Sequence, residues 1–532
     1  MARILDMFNS KKNTYVAADG VNHEGFPTFH RSLEEAYLQV LLTNTLGGTF
    51  YASSNELFKG SLELHAQMAA ENPAFMARAL VYARNEGLMR LQPIIGLAYL
   101  AKANRELFHR IFNRVILTPG DLSDFVEIVR GDVTPGGMGR SIKRAVNTWL
   151  NSMSEYHAIK YGSGGQGYSL RDILRVSHPK AINSTQDTIF TWLTDREKWM
   201  ESGKQGLTPQ INAFERIKRL NLNAADAQAL ARSIIEEGRL PYEVVTGVIK
   251  PDVATWMALM RQMPYFALLR HLNTLQSAGV FKDGENAYYA AERLIHEKAI
   301  HGSKILPFRL FMANRMFTPQ TAVESLISDA LLQAMDTAFA NLPDLPGDIC
   351  IAPDVSSSMS GQTEARSKTQ FIDIAGIFAG ALVKKTQKAL VMPFHTGVRD
   401  VQLSRHDSVM SNAQKIRQLM GGGTAISAPI SEMAARKTKV DVFIGITDNE
   451  EWAVDHHGEF GFLNTWREYK RRFAPEAKAF LLTIAPYRHA VAPKDEPDVH
   501  YIYGWSDSVL KYISLTLSGM ENQVEYVNNM EI

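Results

Sequence analysis

The chain has 532 residues, 45% of them hydrophobic and 21% charged, with a formal net charge of +1. That length exceeds a single core and allows roughly three or four domain equivalents, while the composition excludes wholesale disorder and a fibrous repeat, and the near-zero charge excludes a global field that draws in nucleic acid. The single cysteine, Cys350, excludes an internal disulfide framework and a cysteine-built zinc site, and agrees with a reducing compartment.

The N-terminal stretch MARILDMFNSKKNTYVAADG has no continuous apolar segment. No later stretch reaches the roughly 18 apolar residues of a membrane span, so a cytoplasmic protein with no membrane partner is expected. Over the first 340 or so residues the apolar positions recur at helical spacing. In HRSLEEAYLQVLLTNTLGG, Ser32 and Glu35 form a capping box, and Leu33, Ala36, Tyr37, Val40 and Leu41 share one face before Gly47 and Gly48 end the run. Asn72 and Pro73 suit the N-cap and first position of the next helix, which stops at Gly87, and Asp121 is expected to open LSDFVEIVRG. Short linkers between helices that cannot bury their apolar stripes alone predict an α-solenoid of HEAT-like character.

Within this half, residues 140–220 hold 13 Arg and Lys against 7 Asp and Glu, an excess of six over a chain that nets +1. Arg140, Lys143, Arg144, Lys160, Arg171, Arg175, His178 and Lys180 are candidate phosphate contacts. Tyr156, Tyr161, Tyr168 and His178 are candidate stacking rings for unpaired bases. Arg140, Lys143 and Arg144 at helical spacing also fit an ordinary solvated face, so composition leaves both readings open.

From about Pro346 the grammar changes. DICIA, KALVMPF, VDVFIGIT, AFLLTIA and VHYIYG are short, near-continuous apolar runs, and TQFIDIAGIFAGALVKKT and SVMSNAQKIRQLM between them are helical in period. The alternation predicts a doubly wound parallel sheet whose ligands sit beyond the carboxyl ends of its strands. The first strand empties into DVSSSMSG, where Asp354, Ser356 and Ser358 alternate. A carboxylate with two hydroxyls supplies part of the oxygen shell that a hard divalent cation such as Mg²⁺ requires. GGGTA adds Thr424 on a glycine-rich loop, and GITDNE adds Asp448 at another strand end. The bland reading is a serine-rich turn that keeps its hydrogen bonds and holds no metal. His395, His456 and His457 lie outside the three fragments, and His395 reads as a strand-end histidine satisfied by backbone.

The set of DxSxS, Thr and Asp resembles the metal-ion-dependent adhesion site of the von Willebrand factor A domain. With the helices before it, and with TNTLGGTFY, GGMGRSIKRAV and LRDILRVSHPK as landmarks, the chain resembles the Ro60 family over nearly its full length, and a bacterial member in particular. The resemblance implies a multidomain fold: a HEAT-like helical-repeat ring, the TROVE module, over residues 1–345, and an α/β doubly wound von Willebrand factor A domain over 346–532. It implies Asp354, Ser356, Ser358, Thr424 and Asp448 as ligands of a divalent cation, Mg²⁺, whose open position accepts an acidic side chain of a protein partner. It implies an RNA-binding scaffold and no enzymatic activity. Y-like small RNA would bind the outer surface, and single-stranded 3′ ends of misfolded or immature RNAs would enter a central hole. A tethered 3′ exoribonuclease such as polynucleotide phosphorylase would serve RNA quality control, decay or rRNA maturation. Lys160 and His178 match positions that the family uses, whereas YGSGGQGYS between them departs by having no basic residue. Two other readings stay open on the residues alone: a metal-dependent phosphodiesterase at Asp354 and Asp448, and a pure protein-interaction solenoid.

Overall fold

The structure is a computed structural model. It describes residues 20–21, 27–28, 32–43, 54–131, 137–162, 168–221, 224, 226–303, 305, 307–340, 344–362, 369–448, 451, 453–458, 461–485, 491–492, 496, 498–503, 509, 513, 517 and 523–532. A two-residue ribbon, β1 (Gly20–Val21) with β2 (Pro27–Thr28), precedes the helices.

From Leu33 to Ala338 the described elements are helices, packed on helices nearby in the chain. Their ends follow local chemistry. Ser32 caps Leu33–Thr43 in a reciprocal box with Glu35, at 2.9 and 3.1 Å. Asn72 caps Pro73–Asn85 through Phe75 N at 3.1 Å. Gly47, Gly48 and most of the TNTLGGTFY landmark lie outside the described residues. Helix Arg105–Val115 shows the stripe that drives the stacking: Phe108, Ile111, Phe112 and Val115 are buried, at the spacing of one helical face.

One expected helix start is corrected. Asp121 does not open its helix. Thr118 is the N-cap, Pro119 occupies the first turn, and Asp121 sits three residues on, closing a capping box with Thr118. The X-Pro step fixes the boundary earlier than the acidic residue suggests. Asp121 is fully buried, and it survives there because Arg84 at 2.8 Å and Arg90 at 2.7 Å hold it.

Beyond the helices, β3 (Leu345–Pro353), β4 (Thr386–Val391), β5 (Val442–Thr447), β6 (Lys478–Thr483) and β7 (Val499–Tyr503) form one sheet in the order β4-β3-β5-β6-β7. Every pairing is parallel. The run KALVMPF, expected as one strand, is shorter: β4 ends at Val391, and Phe394 makes only isolated bridges to Asp354 and Val398. Pro393 has no N–H to give a ladder. Helix Phe371–Lys385, buried along nearly its whole length, covers β3, β4 and β5.

The α/β unit grips both ends of the helical array. At the far end, Asp336 accepts from Lys384 Nζ at 3.0 Å and Val409 N at 2.9 Å, and Arg315 reaches buried Asp373 at 3.4 Å. At the near end, Arg78 Nε donates to Met530 O at 3.0 Å, and Gln523 Nε2 to Tyr82 Oη at 3.0 Å. The helices therefore form a ring that the α/β unit closes.

Candidate nucleic-acid interface and metal centre

Arg140, Lys143, Arg144, His178 and Lys180 line one shallow groove of about 630 Å³, together with Asn147, Asn151 and Ile182. Two segments build it. Helix Arg140–Leu150 buries Ile142, Ala145, Val146, Trp149 and Leu150, which turns Arg140, Lys143, Arg144 and Asn147 outward. The segment after helix Leu170–Ser177 lies alongside it because two asparagines bind its backbone. Asn147 Nδ2 donates to Ser177 O at 3.2 Å and Asn151 Nδ2 to Lys180 O at 2.9 Å, while Asn151 Oδ1 accepts from Ile182 N at 3.1 Å. Lys143, Asn147 and Asn151 follow at intervals of four, so one helical face carries the cation and both clamps.

His178 ends its helix with φ of +50°, a left-handed conformation usually filled by glycine or asparagine. Its N–H closes the helix on Leu174 O at 2.9 Å, and its ring is left exposed in the groove. A non-glycine residue held there costs on the order of 1 kcal/mol, which points to a use for the side chain.

The other candidates lie elsewhere. Lys160 does not present a free charge: its Nζ is 2.7 Å from Glu243 Oε1 and sits 5.6 and 5.7 Å from the ring centres of Tyr156 and Tyr161. Arg171 donates through Nε to Leu193 O at 2.7 Å, tying two helices together. Arg175 is exposed in the last turn of the same helix. Tyr168 lies under the Arg130 guanidinium, 5.1 Å from its ring centre, so of the stacking candidates only His178 is in the groove.

The metal fragments do converge. β3 and β5 are sheet neighbours in register, Ala352 with Gly445 and Pro353 with Ile446, so DVSSSMS and Asp448 leave the same edge. The glycine loop is tied to that edge by Ser357 N to Gly422 O at 3.0 Å and Gly421 N to Val355 O at 2.7 Å. Asp354, Ser356, Ser358, Thr424 and Asp448 are all buried. Asp354 Oδ1 accepts from Ser356 N at 2.8 Å, Asp354 Oδ2 from Thr447 Oγ1 at 2.8 Å, and the Ser356 and Ser358 hydroxyls are 3.0 Å apart. Burial first, and neighbouring Asp448 second, raise the Asp354 carboxyl well above the ordinary carboxylate range.

Two buried carboxylates that repel one another, with hydroxyls between, form a donor set that fits a hard divalent cation. Among the described residues no three His, Cys, Asp or Glu side chains cluster; this set consists of two carboxylates and three hydroxyls, all oxygen groups. His395 is satisfied by backbone as expected, its Nδ1 accepting from Thr396 N at 2.6 Å and Gly397 N at 3.2 Å. Sequence reasoning missed Thr447, whose hydroxyl orients Asp354. It also missed Glu451, which accepts from Ser427 N at 3.1 Å and Phe462 N at 2.7 Å, and which burial pushes up to about 7. Thr447 directly precedes Asp448 at a strand end, a legible signal. Glu451 has none.

A family model described as the TROVE domain matches residues 49–231 and 250–322, and one described as the Ro60 vWA domain matches 348–515. The chain is 25% identical over 509 residues to a Deinococcus radiodurans protein named RNA-binding protein RO60, covering 91% of this chain and 92% of that one. It is 22% identical over 472 residues to a Caenorhabditis elegans protein of the same name, covering 76% and 71%. The crystal structure of the Deinococcus radiodurans RO (RSR) protein matches with a TM-score of 0.64 at 21% identity, over 90% of this chain and 100% of that one, a likeness of fold. Among the described residues no helix is long and apolar enough to cross a membrane. With a TROVE domain followed by a Ro60 vWA domain, over nearly the whole length of the Deinococcus relative, the chain belongs to the Ro60 family.

Proposed function

We propose that this protein is an RNA-binding scaffold. A Y-like small structured RNA rests in the groove of Arg140, Lys143, Arg144, His178 and Lys180, and single-stranded 3′ ends of misfolded or immature RNAs enter the hole of the helical ring. The observation that carries this reading is the groove: two sequence-distant segments, locked by Asn147 and Asn151, place four permanent cations and an exposed histidine on one surface. Such a surface suits a phosphate backbone. The relatives named RNA-binding protein RO60 support RNA as the partner. Cationic and aromatic contacts tolerate any base, so recognition rests on an unpaired end and on shape.

In this reading the metal edge holds Mg²⁺ through Asp354, Ser356, Ser358, Thr424 and Asp448, and the cation supplies a coordination position for an acidic partner. The scaffold catalyses nothing itself and works in the cytoplasm beside a 3′ exoribonuclease such as polynucleotide phosphorylase, in RNA quality control, decay or rRNA maturation. The test compares one structured RNA with a single-stranded 3′ tail, the same RNA blunted, and scrambled tails of equal length. Tight binding of every tailed form, with weaker binding of the blunt one, is expected. Equal affinity for tailed and blunt RNA overturns the hole as reader, and RNA cleavage in Mg²⁺ by the purified protein overturns the non-catalytic assignment.

A further inference from the structure

His109 belongs to helix Arg105–Val115, outside the basic span, yet it touches the groove from the preceding repeat. Its Nε2 lies 2.9 Å from Ser141 Oγ and 3.1 Å from a terminal nitrogen of Arg144. A guanidinium has donors only. Nε2 is therefore the acceptor, the proton of the neutral ring sits on Nδ1, and Ser141 donates as well. Burial first and the nearby Arg144 charge second lower the His109 pKa, which favours the neutral form that can accept. Phe108 meets the ring edge to face at 5.2 Å between centres, fixing its plane.

We infer that His109 and Ser141 make Arg144 a prepared phosphate subsite, taking one backbone phosphate of the RNA in the groove; the inference rests on the RNA reading above. Arg144 is otherwise an exposed side chain on the first turns of its helix. An unrestrained arginine gives up about 2 kcal/mol of rotamer entropy when it is immobilised. Held by His109 beforehand, it loses less on binding. One N–H goes to the imidazole, and the remaining four can fork onto a phosphate bidentately. His109 is a positioning residue: it touches the arginine, and the arginine touches the RNA.

This assignment separates two readouts. Arg144→Ala removes a phosphate contact, so it should weaken binding and flatten the slope of log affinity against log salt by about one. His109→Ala leaves the arginine charge in place but frees the side chain. It should weaken binding about fivefold to tenfold while leaving the salt slope unchanged. His109→Gln, whose amide oxygen can accept from Arg144, should restore most of the affinity.

The measurement is filter binding of a small structured RNA at several salt concentrations, with full-length protein whose melting temperature matches wild type. Wild-type affinity in His109→Ala overturns the positioning role, as does failure of glutamine to rescue it. A slope flattened in His109→Ala as much as in Arg144→Ala also overturns it, because the histidine would then be a cationic contact itself. Wild-type protein that binds no structured RNA overturns the groove reading and this subsite together, whereas the variant outcomes overturn the subsite alone.

Discussion

Lys160 and Glu243, 83 positions apart, form an ion pair of 2.7 Å between helices Glu155–Gly162 and Tyr242–Thr246 of the ring. The lysine is half-buried against Tyr156 and Tyr161, so the pair neutralises its charge; the following YGSGGQGYS adds no basic residue. Replacing Glu243 by Gln should release that charge. Affinity for a single-stranded tail should rise severalfold, and the salt slope should steepen by about one as one more phosphate is neutralised. Titration of a fluorescent tailed RNA checks it, and unchanged affinity and slope refute it.

Lys180 and His178 share the groove. Lys180→Ala should weaken a Y-like RNA and reduce the salt slope by about one, and His178→Ala should weaken it as well. Binding curves at two salt concentrations decide both. Wild-type behaviour in both variants would remove the groove from the RNA interface.

Asp354 and Asp448 repel one another in a buried site, so their variants should respond oppositely to metal. Without divalent cation, Asp354→Asn should raise the thermal midpoint, because it ends the repulsion, with a gain in unfolding free energy on the order of 1 kcal/mol. In saturating Mg²⁺ the order should reverse, since only the wild type gains binding free energy. Calorimetric Mg²⁺ titration of the folded variant should show the loss of affinity directly. A wild-type midpoint indifferent to Mg²⁺ counts against the metal site.

His65 lies fully buried between Tyr37 and Gln92. Gln92 Oε1 at 2.8 Å can only accept, so Nε2 carries the proton and Nδ1 accepts from Tyr37 Oη at 3.0 Å. Burial holds its pKa down to about 4, against a hydrogen bond to Gln92 that raises it. A folded pKa below the unfolded value of about 6.5 gives stability that is complete above pH 6.5 and lost as the pH falls toward 4. Between pH 7.5 and 5.0 the wild type should lose about 2 kcal/mol more than His65→Gln in urea unfolding. Parallel pH dependence of the two proteins would contradict this. The site has no slack: a Cβ on Gly96 would stand 2.9 Å from Tyr37 Oη and 2.5 Å from Leu80 Cδ2, so Gly96→Ala should destabilise as well.

The parts of this molecule legible in its sequence are those whose physics is local. The Ser32–Glu35 box, the Asn72–Pro73 start and the five apolar strands depend on residues within a few positions of one another. The metal fragments were legible because parallel strands end at one edge, so three separate strand-end or loop motifs had one place to meet. Asp121 misled because an acidic residue near a helix start fits either the cap or the third position, and only Thr118–Pro119 before it separates the two. Glu243 was invisible because nothing near Lys160 in sequence announces an anion contributed by a helix about 80 residues further on. Of the eight basic candidates, the five that converge occupy a helix and the segment clamped to it. Arg171 has a backbone carbonyl to serve, a role that composition does not distinguish from binding.

Closure of the ring by the α/β unit has a topological consequence. One junction, at Asp336 and Asp373, stands beside the peptide bond that joins the two domains and cannot separate far. The other consists of non-covalent contacts between Arg78, Tyr82 and the last residues of the chain, Gln523 and Met530. That seam is the clasp of a bracelet. While it is shut, a polymer can pass through the ring only by threading a free end; a polymer without an end can pass only where this seam parts.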